Sequence, residues 1–141
     1  MSGRGITAAR LIVLICLLSA GCGGRKEMGR VSGTVTFRGQ PVPDAVVRFT
    51  PQQKPPGLAR TDERGHYTLN TLRKGDGGFA GTSLVTITPW SEPFDSIAGG
   101  KPPLERPRPD IPERYREAAT SPLTAEVVAG KLNEFTFELE Q

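Results

Sequence analysis

Asn133-Glu134-Phe135-Thr136-Phe137-Glu138-Leu139 alternates apolar and polar residues without a break. A period of two puts Phe135, Phe137 and Leu139 on one side of a strand and Glu134, Thr136 and Glu138 on the other, as a strand with one buried face requires. The alternation recurs upstream. Val31, Gly33, Val35 and Phe37 share one side of a first strand, with Ser32, Thr34 and Thr36 opposite. Ala45, Val47 and Phe49 face inward in a second, and Val46, Arg48 and Thr50 outward. Residues 59–61 read as a short third strand, 66–71 as a fourth carrying Tyr67 and Leu69, 82–88 as a β-branched fifth with Val85 and Ile87 inside, and 123–128 as a sixth.

Turn chemistry separates these runs. Arg38-Gly39-Gln40-Pro41, Asp62-Glu63-Arg64-Gly65 and Ala129-Gly130-Lys131 supply the positive-φ and ladder-breaking residues of tight connections. Gly75, Asp76, Gly77, Gly78 and Gly81 read as a flexible bridge. About seven short strands with such punctuation imply an all-β fold, a single β-sandwich whose two sheets bury Val35, Val47, Phe49, Tyr67, Leu69, Val85, Ile87, Val127, Phe135 and Phe137. Regularity fails only between Pro89 and Pro122, which hold eight of the thirteen prolines. Proline removes a ladder donor and blocks helix interiors, so residues 89–122 form a long loop before the last two strands. Its one helical piece is placed at 112–119, where Pro112 suits a helix start and Tyr115 packs inward.

Three pieces in order, Val31-Ser32-Gly33-Thr34-Val35, Gly39-Gln40-Pro41-Val42-Pro43-Asp44-Ala45-Val46-Val47 and Thr61-Asp62-Glu63-Arg64-Gly65-His66-Tyr67, resemble the carboxypeptidase regulatory-like domain, a transthyretin-like sandwich. Ile111-Pro112-Glu113-Arg114-Tyr115, Thr120-Ser121-Pro122-Leu123-Thr124 and Phe135-Thr136-Phe137 further resemble small bacterial lipoproteins built on it. The resemblance spans about residues 30 to 140. It implies a fold and says little of activity, because sandwiches host many functions. One transthyretin-like ureide hydrolase uses several histidines and a Tyr-Arg-Gly-Ser tail. Here there is one histidine, and the last residues are Leu139-Glu140-Gln141, so that enzyme is not expected.

The N-terminal region has a different character. Arg4 and Arg10 precede the apolar run Leu11-Ile12-Val13-Leu14-Ile15-Cys16-Leu17-Leu18, too short to span a bilayer, which takes about 20 residues. Small residues then lead to a cysteine in Leu18-Ser19-Ala20-Gly21-Cys22. The basic start, apolar run and small-residue site read as a signal peptide over residues 1–21. The last five residues resemble the lipobox of bacterial lipoproteins, with Ser19 where leucine is commonest. The resemblance implies diacylglyceryl and palmitate attachment at Cys22, a tether over 22–29 and a sandwich over 30–141. Gly23, where an aspartate would retain some lipoproteins on the inner membrane, points toward the outer membrane. A plain signal peptide with an incidental cysteine is the other reading.

Charge and cysteine usage fit an extracytoplasmic domain. The formal charge of +3 falls to +1 once Arg4 and Arg10 leave with the signal, and no single-sign run remains, so nucleic acid is not an expected partner. With Cys16 removed and Cys22 acylated, no intramolecular disulfide can form. His66 lies on the outward side of its strand and there is no Gly-x-Ser-x-Gly turn, so no catalytic residues are expected. Asp62, Glu63 and Asp76 lack calcium-loop spacing, and the pairs Glu105/Asp110 and Asp110/Glu113 lack rigid support for glycosidase chemistry. No metal or cofactor is expected. Trp90, Phe94 and Tyr115 are the candidate contacts for a ligand or partner, or else the rings that pin the loop to the sandwich. Two readings stay open: a non-enzymatic, membrane-anchored envelope lipoprotein with a structural or binding sandwich, or a carbohydrate- or peptide-binding module that uses the 89–122 loop to hold an envelope glycan or protein.

Overall fold

The computed structural model describes residues 27–91 and 109–141; the readings that concern Cys22, Phe94 and Glu105 fall outside them. The chain forms β1 (Met28–Phe37), β2 (Gln40–Pro41), β3 (Ala45–Pro51), β4 (Gly57–Arg60), β5 (His66–Thr68), β6 (Gly78–Phe79), β7 (Gly81–Pro89), β8 (Thr124–Val127) and β9 (Leu132–Leu139). Seven of these have three or more residues. The helical reading of 112–119 shrinks to one 3-10 turn, Glu113–Tyr115, which Pro112 does introduce.

Two sheets face each other. In the first, β1 is central and β9 runs parallel to it through eight registered pairs, from Arg30↔Leu132 to Phe37↔Leu139. The other edge of β1 is shared antiparallel by three short pieces, with β6 opposite Met28 and Gly29, β5 opposite Ser32 to Thr34, and β2 opposite Thr36 and Phe37. The second sheet has the order β4-β3-β7-β8, antiparallel throughout. The inward sides named by alternation form the core. Val35, Val47, Leu69, Val85 and Ile87 are fully buried, and Phe49, Tyr67, Val127 and Phe137 nearly so, while Phe135 is half-buried against them. Phe49 reaches from the second sheet to three rings of the first, Tyr67, Phe135 and Phe137, at centroid distances of 6.4, 5.8 and 6.1 Å.

The structure revises three local expectations. The first strand begins at Met28, ahead of the alternation that starts at Val31, because Met28 and Gly29 pair with Phe79 and Gly78 and the Gly130 N–H donates to the Met28 carbonyl at 2.9 Å. The fourth strand stops at Thr68. Beyond it the chain changes partner, from a Leu69 N–H to Val31 carbonyl bond of 2.9 Å to a reciprocal Leu58–Asn70 bridge at 2.8 and 2.9 Å, which ties the two sheets along one side. The bridge after residue 70 is bonded in place. Asp76 Oδ1 accepts the Thr71 N–H at 2.8 Å, and Oδ2 accepts those of Leu72 and Arg73 at 2.8 and 2.7 Å.

On the other side, β8 covers only the first half of β7, from Gly81 to Leu84. Residues 111–123 cover the rest. Val85 donates to the Leu123 carbonyl at 2.9 Å and Ser121 Oγ donates to the Val85 carbonyl. Ile111 and Tyr115 join the core cluster, and the Tyr115 hydroxyl oxygen accepts the Glu140 N–H at 3.0 Å just beyond β9. The proline-rich crossover therefore ends in a plug across the side the strands leave open.

Gly33 marks the tightest crossing in the core. A Cβ there would overlap the Phe135 carbonyl and sit 2.8 Å from the Tyr67 hydroxyl, which itself donates to that carbonyl at 2.8 Å. Gly39, by contrast, has φ +76° and open space around it. Gly33→Ala should cost more than about 3 kcal/mol, since the obstacle is backbone that cannot step aside. Gly39→Ala should cost only the left-handed strain of about 1–2 kcal/mol. Urea midpoints of the two variants measure the difference, and equal losses would contradict the crossing.

Candidate functional site

The three rings singled out by the sequence do not form one surface. Trp90 follows β7 and is half-buried, with its N–H donating to the Asp44 carbonyl at 2.8 Å. The Arg60 guanidinium lies 3.8 Å from its ring centroid and also binds Asp44 Oδ1 through Nε and Nη2 at 3.1 and 2.6 Å. One face of the indole is thus covered by an ion pair. Tyr115 is 3% exposed, with its oxygen accepting bonds from Arg114 Nη2 at 2.7 Å and from the Glu140 N–H. It presents no ring face to solvent and acts as the plug described above. Phe94 lies outside the described residues.

The other candidate is a shallow open depression of about 390 Å³ lined by Arg60, Asp62, His66, Tyr67, Thr68 and Asn70. Arg60, Asp62, Tyr67 and Asn70 among them serve the fold. Asp62 Oδ1 accepts the His66 and Arg64 N–H groups at 3.0 and 2.8 Å, which hold its carboxyl below the usual carboxylate range. This is the turn role its place before Gly65 suggests. Burial, with a smaller push from the Glu134 carboxylate, raises the Tyr67 hydroxyl well above its ordinary value and keeps it a neutral donor to Phe135. His66 is exposed on the outer face of the first sheet, opposite Thr34.

Metal chemistry finds no cluster. Among the described residues no three His, Cys, Asp or Glu side chains converge as donors. Asp76, one of the oxygens considered for calcium, has both carboxylate oxygens taken by amides; burial alone would raise its pKa, and the Thr71, Arg73 and Leu72 N–H groups together lower it. Asp110 and Glu113 are exposed beside the plug.

Two residues that matter were not legible as such. Asn133 is 9% exposed; its Nδ2 donates to the carbonyls of Arg30, Val128 and Lys131 at 3.0, 3.0 and 3.2 Å, and its Oδ1 accepts the Val128 N–H at 2.9 Å. An asparagine opening a strand, where that residue is depleted, was the available signal. Ile111, fully buried, lay hidden among prolines. No family model matches the chain, and neither a curated protein nor a solved structure matches it.

Two outcomes follow from these contacts. Tyr115→Ala should cost about 3–5 kcal/mol in chemical denaturation, as for a large buried ring, and Trp90→Ala about 1 kcal/mol, the worth of a surface cation–π contact. Near-normal stability for Tyr115→Ala would instead free that ring for recognition, as would loss of binding to envelope polysaccharide. For Asp76, a folded pKa below the unfolded value means that the unfolded chain takes up the proton more readily. Its stabilisation is complete above about pH 4 and fades as the pH falls further. Asp76→Asn should lower the neutral-pH melting temperature and flatten its fall below pH 4; an unchanged acid limb in calorimetry would show that the amide cage contributes nothing.

Proposed function

We propose that this chain is a lipid-anchored protein of the cell envelope whose carboxypeptidase regulatory-like, transthyretin-like sandwich serves a structural or binding role and not a catalytic one. The observation that carries the reading is the run Leu18-Ser19-Ala20-Gly21-Cys22 behind eight apolar residues. The sandwich supports it in that Glu27, five positions after Cys22, is already bonded to it, its carbonyl accepting the Ala80 N–H at 2.7 Å. Acyl chains add about 0.8 kcal/mol per buried CH₂, so two or three at Cys22 would fix the chain to a bilayer.

The non-catalytic part rests on how the reactive side chains are employed. The Asp62 and Asp76 carboxylates hold turns, the Tyr67 hydroxyl holds Phe135, and the Tyr115 oxygen holds the end of β9. Each performs a structural task that catalysis would compromise. Binding of a glycan or peptide by the 89–122 segment would draw on Trp90, the half-buried ring among the described residues of that segment.

Mass spectrometry of the N-terminal peptide from cell envelopes tests the anchor. The expected product begins at Cys22 and carries diacylglyceryl and acyl mass. An unmodified Cys22, or a chain still beginning at Met1, would end this reading.

A further inference from the structure

The end of the sandwich where the chain enters has a surface unlike the rest. Four large hydrophobic side chains are exposed among the described residues, Leu132 at 71%, Leu72 at 65%, Leu58 at 47% and Val128 at 46%. All four lie at this end. Leu132 opens β9 opposite Arg30, near the start of β1; Val128 follows β8 into the same turn; Leu72 sits in the Asp76-bound turn; and Leu58 bridges Asn70 at the start of β4. Single exposed leucines are ordinary, but a group gathered at one end is not.

These turns are fastened to the entering strand. Gly130 donates to the Met28 carbonyl, Ala80 to the Glu27 carbonyl, and Lys54 Nζ lies 2.6 Å from Glu27 Oε2 and 4.9 Å from the centre of the Phe79 ring. The same turns carry the exposed cations Lys54, Arg73, Lys74 and Lys131. The carboxylates among them are engaged, Glu27 by Lys54 and Asp76 by three amides. Glu126 and Glu134 stand further along the strands, opposite Thr82 and Ser32. The opposite end, with Asp62, Glu63, Arg64, Asp110 and Glu113, has mixed charge.

We propose that this end is a membrane-docking base: Leu72, Val128 and Leu132 enter the headgroup boundary of an anionic phospholipid leaflet, and Arg73, Lys74 and Lys131 meet its phosphates. Aliphatic side chains with cations on the same turns are what a surface lying on such a leaflet needs. The choice of a bilayer as the occupant rests on the Cys22 anchor proposed above. Four residues separate Cys22 from Glu27, five Cα steps with an extended reach of at most about 18 Å, so the anchor would hold this end, and not the other, against the lipid.

The test uses the lipidated chain reconstituted into phosphatidylethanolamine/phosphatidylglycerol vesicles, with an environment-sensitive fluorophore on Leu132→Cys or, at the far end, on Gln40→Cys. Both positions are exposed. The expected result is a blue-shifted probe at 132 that lipid-borne quenchers reach, a water-exposed probe at 40, and loss of the shift when Arg73, Lys74 and Lys131 are changed to glutamate, with circular dichroism unchanged. Chain retained on the vesicles with both probes equally wet would overturn the docking base and leave the anchor standing. Chain lacking acyl mass, yet shielded at 132 by anionic vesicles, would support the base and remove the anchor. Shielding at 132 that persists without vesicles and tracks protein concentration would assign the patch to a second copy of the chain and overturn the proposal.

Discussion

The parallel ladder between β1 and β9 is the interaction on which the rest of the molecule depends. β1 has no other long partner, since its second edge is shared among β6, β5 and β2, each two or three residues long. Eight consecutive pairs with β9 therefore hold the centre of the first sheet. Asn133 fixes the register at its start by binding carbonyls on both sides of the turn and on Arg30. A slip of one residue would turn Phe137 and Leu139 to solvent and Glu138 to the core, so the hydrophobic pattern and the asparagine enforce one alignment.

From that alignment the core packing follows. With β9 in register, Phe135 and Phe137 stand 6.5 Å apart and nearly parallel, and Phe49 meets both from the opposite sheet. Tyr67 completes the group by stacking on Phe137 at 6.3 Å and reaching over Gly33 to the Phe135 carbonyl. The polar end of a tyrosine can be buried here only because a carbonyl receives it, and the carbonyl is within reach only because residue 33 has no side chain. The tyrosine, the glycine and the ladder thus support one another.

Much of this was legible because a half-buried strand writes its burial into alternate residues. Val31 to Phe37, Ala45 to Thr50 and Phe135 to Leu139 each identified its inner face, and Asp62 and Gly65 identified their hairpin. What escaped was set by contacts between segments distant in the chain. Nothing local to Gly78-Phe79 announces a strand, because its two residues exist as one only against Met28 and Gly29. Parallel pairing of the first and last strands leaves no turn in the sequence to read. The loop rings were ambiguous for the same reason. Trp90 and Tyr115 look alike in a proline-rich stretch, and only Arg60 over the one and Glu140 against the other separate a surface ring from a core ring.

The spacing between β1 and β9 also explains why a long proline-rich crossover is tolerated. Doubling the length of a closed loop costs only about 0.6 kcal/mol, so the residues between Pro89 and Pro122 weigh little on a ladder that already encloses most of the chain. Their burden is kinetic, because pairings so far apart in sequence form late. Until β9 arrives, β1 lacks its long partner, Tyr67 lacks its acceptor and Phe49 lacks two of its three rings. A domain whose central strand waits for its last strand stays unfolded while the chain between them is being delivered. Under the export and Cys22 anchoring proposed above, that order would be an advantage: the end that carries Met28 would reach the membrane first, and the sandwich would close once residues 132–139 had crossed.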